Sequence, residues 1–145
     1  MTPRRLDVDV IRNKLDAIEQ SCGVLASLGT IDSSRLSADP VLAAAVERLL
    51  GRLVDLAVDV NSHVASVRLG RAPGEYRESF DLAVAAGVID GELAEQLKPS
   101  VGMRNVIVHE YVSLDLDLVA AAVPLAVDGY RRFVTTVARH LIDAP

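Results

Sequence analysis

The stretch DPVLAAAVERLLGRLVDLAVDVNSHVASVRLG, residues 39–70, decides the fold. Leu42, Val46, Leu49, Leu53, Leu56, Val60, Val64 and Val67 recur at spacings of three and four, which lines one face of a helix with 3.6 residues per turn. Asp39 followed by Pro40 reads as an N-cap and a first-turn proline, and Gly70 as the stop. The opposite side carries Arg48, Arg52, Asp55, Asp59 and His63, most of which reads as a solvated face. Asp59 and His63 are one turn apart, so they either belong to that face or hydrogen-bond to each other and orient a catalytic group.

Outward from this helix the same periodicity continues. Asp7 to Leu28 reads as a first helix with Val10, Leu15, Ile18, Leu25 and Leu28 inside, and Gly29 to Asp39 as a polar connector. After the loop RAPGEY, the stretch YRESFDLAVAAG predicts a helix that Gly87 closes. DGELAEQLKP predicts a short fourth helix opened by Asp90. Beyond Asp115 and Asp117, Val127, Tyr130, Val134, Val137 and Leu141 predict a last helix that Pro124 kinks or restarts. No strand alternation, internal repeat or glycine-rich phosphate loop is present. The expected architecture is an all-α bundle in one domain, residues 1–145.

The chain has 145 residues, 50% apolar and only 3% aromatic, with a formal charge of −5. That charge argues against coating nucleic acid by electrostatics alone, so any RNA contact must be local. Cys22 is the single cysteine, which excludes an intramolecular disulfide and a cysteine-based zinc site and fits a reducing, cytoplasmic setting. It reads as a small buried hydrophobe. The start, MTPRRLDVDVIRNKL, lacks the unbroken apolar stretch of a signal peptide. The longest uncharged apolar run, Leu118 to Val127, is interrupted by Pro124 and falls well short of the ~20 residues of a spanning helix. A soluble protein is expected.

Chemistry concentrates in RNVIVHEY, residues 104–111. Arg104, Asn105, His109, Glu110 and Tyr111 surround an apolar spacer. On a continuous helix Arg104 and His109 differ by about 140° in direction, so the helix is expected to end near Val108. An extended chain beyond it would put His109 and Tyr111 on one side. Read from the residues alone, the cluster is either a helix end, with Arg104 paired to a carboxylate and His109 capping carbonyls, or a site combining a titratable imidazole, a permanent cation and a phenol. His140, beside Arg139 and near Asp143, reads as a helix-end cation without a role.

RNVIVHEY resembles the Arg-x-x-x-x-His-x-Tyr motif of HepT-like proteins in the HEPN superfamily, ribonuclease toxins paired with minimal nucleotidyltransferase antitoxins. VERLLGRLVDLAVDVNSHVAS resembles the long second helix of that family, and EYRESFDLAVAAGVIDGELAEQLKPSVGMRNVIVHEY the segment leading to its active site. The resemblance covers most of residues 40–118. It implies a HEPN-type antiparallel helical bundle that forms a symmetric homodimer, with two copies of Arg104 and His109 facing one groove. It implies an endoribonuclease that needs no metal or other cofactor, in which the ribose 2′-hydroxyl attacks the adjacent phosphorus.

Such a reaction needs proton transfer and charge stabilisation. An imidazole, with an unperturbed pKa of about 6.5, suits the first, which makes His109 the acid or base. A guanidinium stays charged and matches phosphate oxygens, which makes Arg104 the phosphate clamp. Asn105 and Asp59 are expected to support them by orientation. The resemblance makes Tyr111 the acceptor of AMP that the partner nucleotidyltransferase transfers from ATP, and makes RNA the substrate, with no membrane partner. Arg68, Arg71 and Arg77 either extend the site along the RNA backbone or are solvated loop charges. The alternative function is a noncatalytic helical adaptor that binds the nucleotidyltransferase or a nucleotide.

Overall fold

The computed structural model describes residues 5–109 and 114–143. Six helices follow one another: α1 (Val8–Ser27), α2 (Ser33–Ala38), α3 (Pro40–Leu69), α4 (Tyr76–Ala85), α5 (Gly91–His109) and α6 (Leu116–Asp143). No strand occurs among the described residues. Aspartates start most of these helices, because a short carboxylate can accept from amides left unpaired in the first turn. Asp7 takes the Val10 amide, Asp32 that of Arg35, Asp39 that of Leu42, Asp90 that of Leu93 and Asp115 that of Leu118. Gly70 ends α3 with φ of 63°, a left-handed conformation that a Cβ disfavours.

α3 is the hub, in contact with all five other helices. Its buried side is wider than the predicted stripe: Leu50, Val54, Ala57, Val58 and Ala65 are enclosed together with Val46, Leu53, Val60 and Val64. Each fully buried Val or Leu contributes about 1.5–3 kcal/mol, so this surface dominates the stability of the bundle. α1 packs antiparallel to α3, since the Asp7 amide meets His63 while Lys14 meets Asp59. α5 and α6 are likewise antiparallel, Gln96 meeting Arg132 and Ser100 meeting Tyr130. Tyr130, Phe133 and Phe80 stack edge-on through the centre.

α4 runs the other way. Its contacts climb α3 in the same order, Asn61 with Ser79 and then Arg68 with the Ala86 carbonyl, so α4 lies parallel to the second half of α3. The loop between them must therefore retrace about 20 Å of helix, which the six residues 70–75 can span when extended. This return brings Tyr76 back beside Asp55.

Four expectations change. The connector 29–39 contains α2, whose one buried residue, Leu36, anchors it against α3 and α6. In α1 the inner face runs Ile11, Leu15, Ile18, Cys22, Leu25, while Val10 is exposed, because the stripe starts one residue later than its first valine suggests. The short fourth helix and the segment after it are one helix, α5, that passes through Pro99 to His109. α6 likewise continues through Pro124 without a restart. In both cases burial of residues on either side of the proline, Leu97 and Val101 in α5 and Val123 and Ala126 in α6, outweighs the missing backbone hydrogen bond.

Phe133→Ala should lower unfolding free energy by about 3–5 kcal/mol in urea titrations, since it empties the centre of the aromatic stack. Gly70→Ala should cost about 1–2 kcal/mol, the strain of a left-handed non-glycine residue.

Candidate functional site

Arg104 points from α5 toward α3, and its long stem crosses Gly51, where a Cβ would lie 3.9 Å from the Arg104 Cγ. Its guanidinium is held on three sides. Nε donates to Asp55 Oδ1 at 3.2 Å, Nη1 to Asn105 Oδ1 at 3.3 Å, and Nη2 approaches the Tyr76 hydroxyl at 3.5 Å. The Tyr76 ring also lies beneath the cation, 4.6 Å from its carbon. Among the described residues three of the five guanidinium N–H groups are engaged, which leaves two to grip an incoming oxyanion. A partly exposed ion pair contributes at most about 1 kcal/mol, so the contribution of Asp55 is orientation more than stability.

Tyr76 is the tuned group here. Desolvation pushes its phenol above the ordinary range, Asp55 raises it further, and Arg104 opposes both. Sequence reading placed Asp55 on the solvated face and gave Tyr76 no part in the site. A carboxylate opposite an arginine of another helix leaves no periodic signal, and only the parallel return of α4 brings the phenol to the same place.

Asp59, the expected helper, lies elsewhere: it pairs with Lys14 of α1 at 3.1 Å and bonds neither Arg104 nor His63. His63 accepts the Asp7 amide at 2.9 Å through Nε2, which ties the start of α1 to α3. Asn105 does meet Arg104, as expected. His109 is helical, the last residue of α5, and exposed, so the helix runs one residue past the expected end near Val108, and the extended chain expected at 110–111 lies outside the described residues. His109 stands about 140° around and about 7.5 Å along the helix from Arg104. Glu110 and Tyr111 lie outside the described residues. His140 contacts Arg68 Nη1 at 2.5 Å, and Arg68 also donates to the Ala86 carbonyl.

Cys22 is buried, and desolvation pushes its thiol up to about 11. Among the described residues no three His, Cys, Asp or Glu side chains gather to hold a metal ion, and no helix is long and apolar enough to cross a membrane. A groove of about 1200 Å³ lies between the end of α1, α2 and α6, away from Arg104. A smaller apolar pocket of about 290 Å³ lies between α5 and α6, beside Met103 and Leu118. On that side Leu118 and Leu125 are 58% and 71% exposed, and Val106 is also exposed.

Residues 12–137 match the family model for ribonuclease HepT-like proteins. The chain is 28% identical over 129 residues to the mRNA nuclease HepT of Shewanella oneidensis, covering 89% of this chain and 96% of that one. It is 33% identical over 97 residues to the tRNA nuclease HepT of Aphanizomenon flos-aquae, covering 66% of this chain and 65% of that one. Its fold superimposes with a TM-score of 0.80 on the tri-AMPylated Shewanella oneidensis HEPN toxin, solved in complex with MNT antitoxin, at 27% identity over 90% of this chain and 98% of that one.

In Asp55→Asn the anion beside the phenol is lost, so the pKa of Tyr76 should fall toward 10. Ring-carbon NMR of labelled tyrosine, followed through alkaline pH, reads this shift directly; an unchanged titration would mean that Asp55 does not face the phenol.

Proposed function

Because the chain belongs to the HepT-like ribonuclease family, we propose that it is the toxin endoribonuclease of a toxin–antitoxin pair. It cuts RNA in a cleft shared by two copies and is silenced when a partner nucleotidyltransferase transfers AMP to Tyr111. The observation that carries this reading is the pinned Arg104, whose free N–H groups are offered beside Asn105 on the helix that ends at exposed His109.

A second copy follows from the angle between the two groups. Arg104 and His109 diverge by about 140° around α5, so one subunit does not aim both at one phosphate. A two-fold axis through the exposed apolar side formed by Val106, Leu118 and Leu125 sets His109 of one subunit against Arg104 of the other. Burying those side chains supplies the association energy, while the cations gather from both copies and offset the net negative charge of the chain locally.

In that cleft Arg104 holds the scissile phosphate by two oxygens and stabilises the charge that grows on them. Neutral His109 removes the 2′-hydroxyl proton as that oxygen attacks phosphorus. The bond from phosphorus to the 5′-oxygen breaks, and the leaving oxygen takes a proton from the protonated His109 of the partner subunit. The products are a 2′,3′-cyclic phosphate and a free 5′-hydroxyl, and no metal takes part. Asn105 holds the guanidinium in place through its amide oxygen. Asp59, bonded to Lys14, supports the site only indirectly by fixing α1 against α3. AMP on Tyr111, two residues from His109, places phosphate charge and bulk where the RNA backbone would lie. The nucleotidyltransferase uses ATP as its own substrate.

One observation favours a noncatalytic adaptor. Of the five aromatic residues, Phe80, Tyr130 and Phe133 are buried and Tyr76 lies against Arg104, which leaves little to stack bases. Cleavage decides between the two. Purified protein should cut labelled RNA in EDTA to cyclic-phosphate ends, and Arg104→Ala and His109→Ala should each slow it by about 10²–10⁴-fold. Intact RNA with the wild-type protein would leave the adaptor. Leu125→Asp should give monomers by sedimentation and abolish cleavage together. After incubation with the nucleotidyltransferase and ATP, mass spectrometry should place added AMP on Tyr111.

A further inference from the structure

α5 carries a second polar face, separate from the one that holds Arg104. Relative to Gly102, Asn105 lies about 60° back around the helix and His109 about 20° back, so these three residues share one side. The space above Gly102 is filled from α4: a Cβ there would lie 3.2 Å from Arg77 Nη2. The Arg77 guanidinium thus lies along α5 on the side that ends at His109, although Arg77 begins on another helix.

Other cations nearby are engaged. Lys98, one turn before Gly102 on the same face, bonds Asp81 and Glu95, each at 2.7 Å. Arg71 pairs with Glu78 at 3.6 Å, and Arg68 meets His140 and the Ala86 carbonyl. Arg77 is exposed and, among the described residues, has neither a carboxylate partner nor a side-chain hydrogen bond. An arginine laid on a helix by a glycine and left without an anion has its full donor set available for one.

We propose that Arg77 is a phosphate-binding residue for the RNA strand and that Gly102 is the cradle that positions it. It holds a phosphodiester neighbouring the one at His109. Gly102 and His109 are about 10 Å apart along the axis, on the order of one to two nucleotides of an extended strand. Arg104 holds the reacting phosphate and Arg77 sets the register of the strand. Of the three arginines that sequence reading left open, this selects Arg77 and leaves Arg68 and Arg71 to structural contacts. The inference rests on the ribonuclease reading and names a further part of its substrate site.

The test is fluorescence anisotropy of a fluorescein-labelled mixed-sequence single-stranded RNA over a salt series, in the His109→Ala background so that the probe survives. Adding Arg77→Ala should weaken binding several-fold and reduce the slope of log affinity against log salt by about 0.7 for each phosphate no longer neutralised. Arg77→Lys should keep the slope and lose part of the affinity. Gly102→Leu, which fills the cradle with a strong helix former, should weaken binding with the charge retained and with no loss of thermal stability. In the otherwise wild-type enzyme, Arg77→Ala should raise KM by a larger factor than it lowers kcat.

Unchanged affinity and salt slope in Arg77→Ala would overturn the assignment, as would a fall in kcat with KM untouched. If the wild-type protein cleaves RNA and Arg77→Ala binds it normally, this inference fails alone. If the wild-type protein cleaves nothing, the ribonuclease reading fails, and the anisotropy series still decides whether Arg77 holds a phosphate.

Discussion

The structure depends on a single constraint: α3 has apolar side chains on too much of its circumference to be satisfied by one neighbour. Val46, Leu53, Val54, Ala57, Val60, Val64 and Ala65 are almost fully buried, and helices from every other part of the chain are needed to enclose them. Each buried residue contributes more than a surface ion pair such as Lys14 with Asp59. The polar contacts therefore act by setting register, and hydrophobic burial supplies the stability. Asp55 lies at the margin of the α3 core, 41% exposed, where it can meet Arg104 of α5 and keep part of its hydration.

Glycine inside a helix normally costs about 1 kcal/mol relative to alanine. Gly51 and Gly102 both sit in helix interiors and both lie under an arginine, Arg104 over the first and Arg77 over the second. At Gly102, where a Cβ would come within 3.2 Å of the guanidinium, that stability is exchanged for the closeness with which Arg77 can lie along the helix, whereas at Gly51 a Cβ would make only ordinary contact with the Arg104 stem. The two arginines flank α5, one pinned by Asp55 and Tyr76 and the other uncommitted. A chain with an excess of acidic residues thereby places two guanidinium groups against α5, while Lys98 of the same helix is neutralised by two carboxylates.

Much of the fold was legible in the pattern of residues. The bounds of α3, the cap at Asp39, the opening of a helix at Asp90, the stop at Gly70 and the burial of Cys22 all follow from local rules that operate within one or two turns. The motif residues Arg104, Asn105 and His109 were visible through resemblance, and the pairing of Arg104 with Asp55 and Tyr76 was not. Both prolines misled, because Pro99 and Pro124 act as breakers only when nothing on either side is held by packing. α2 was invisible since six residues carry too little periodicity, and its existence depends on Leu36 finding a place between α3 and α6. Asp59 looked like the carboxylate of the site because it lies one turn from His63. Helical spacing cannot tell which helix each carboxylate on a face meets: Asp55 meets Arg104 of α5, and Asp59 meets Lys14 of α1.

What the sequence determined by itself is the set of amphipathic helices, their ends, and the presence of an arginine, an asparagine and a histidine near the end of one of them, all properties of residues close together along the chain. Tertiary structure decided that α4 returns parallel to α3 and brings Tyr76 to Arg104. It also decided that Asp55 rather than Asp59 is the partner, and that Arg77 comes to rest over Gly102. Those outcomes join residues far apart in sequence. They are settled by how whole helix surfaces fit together, and no local spacing carries that information.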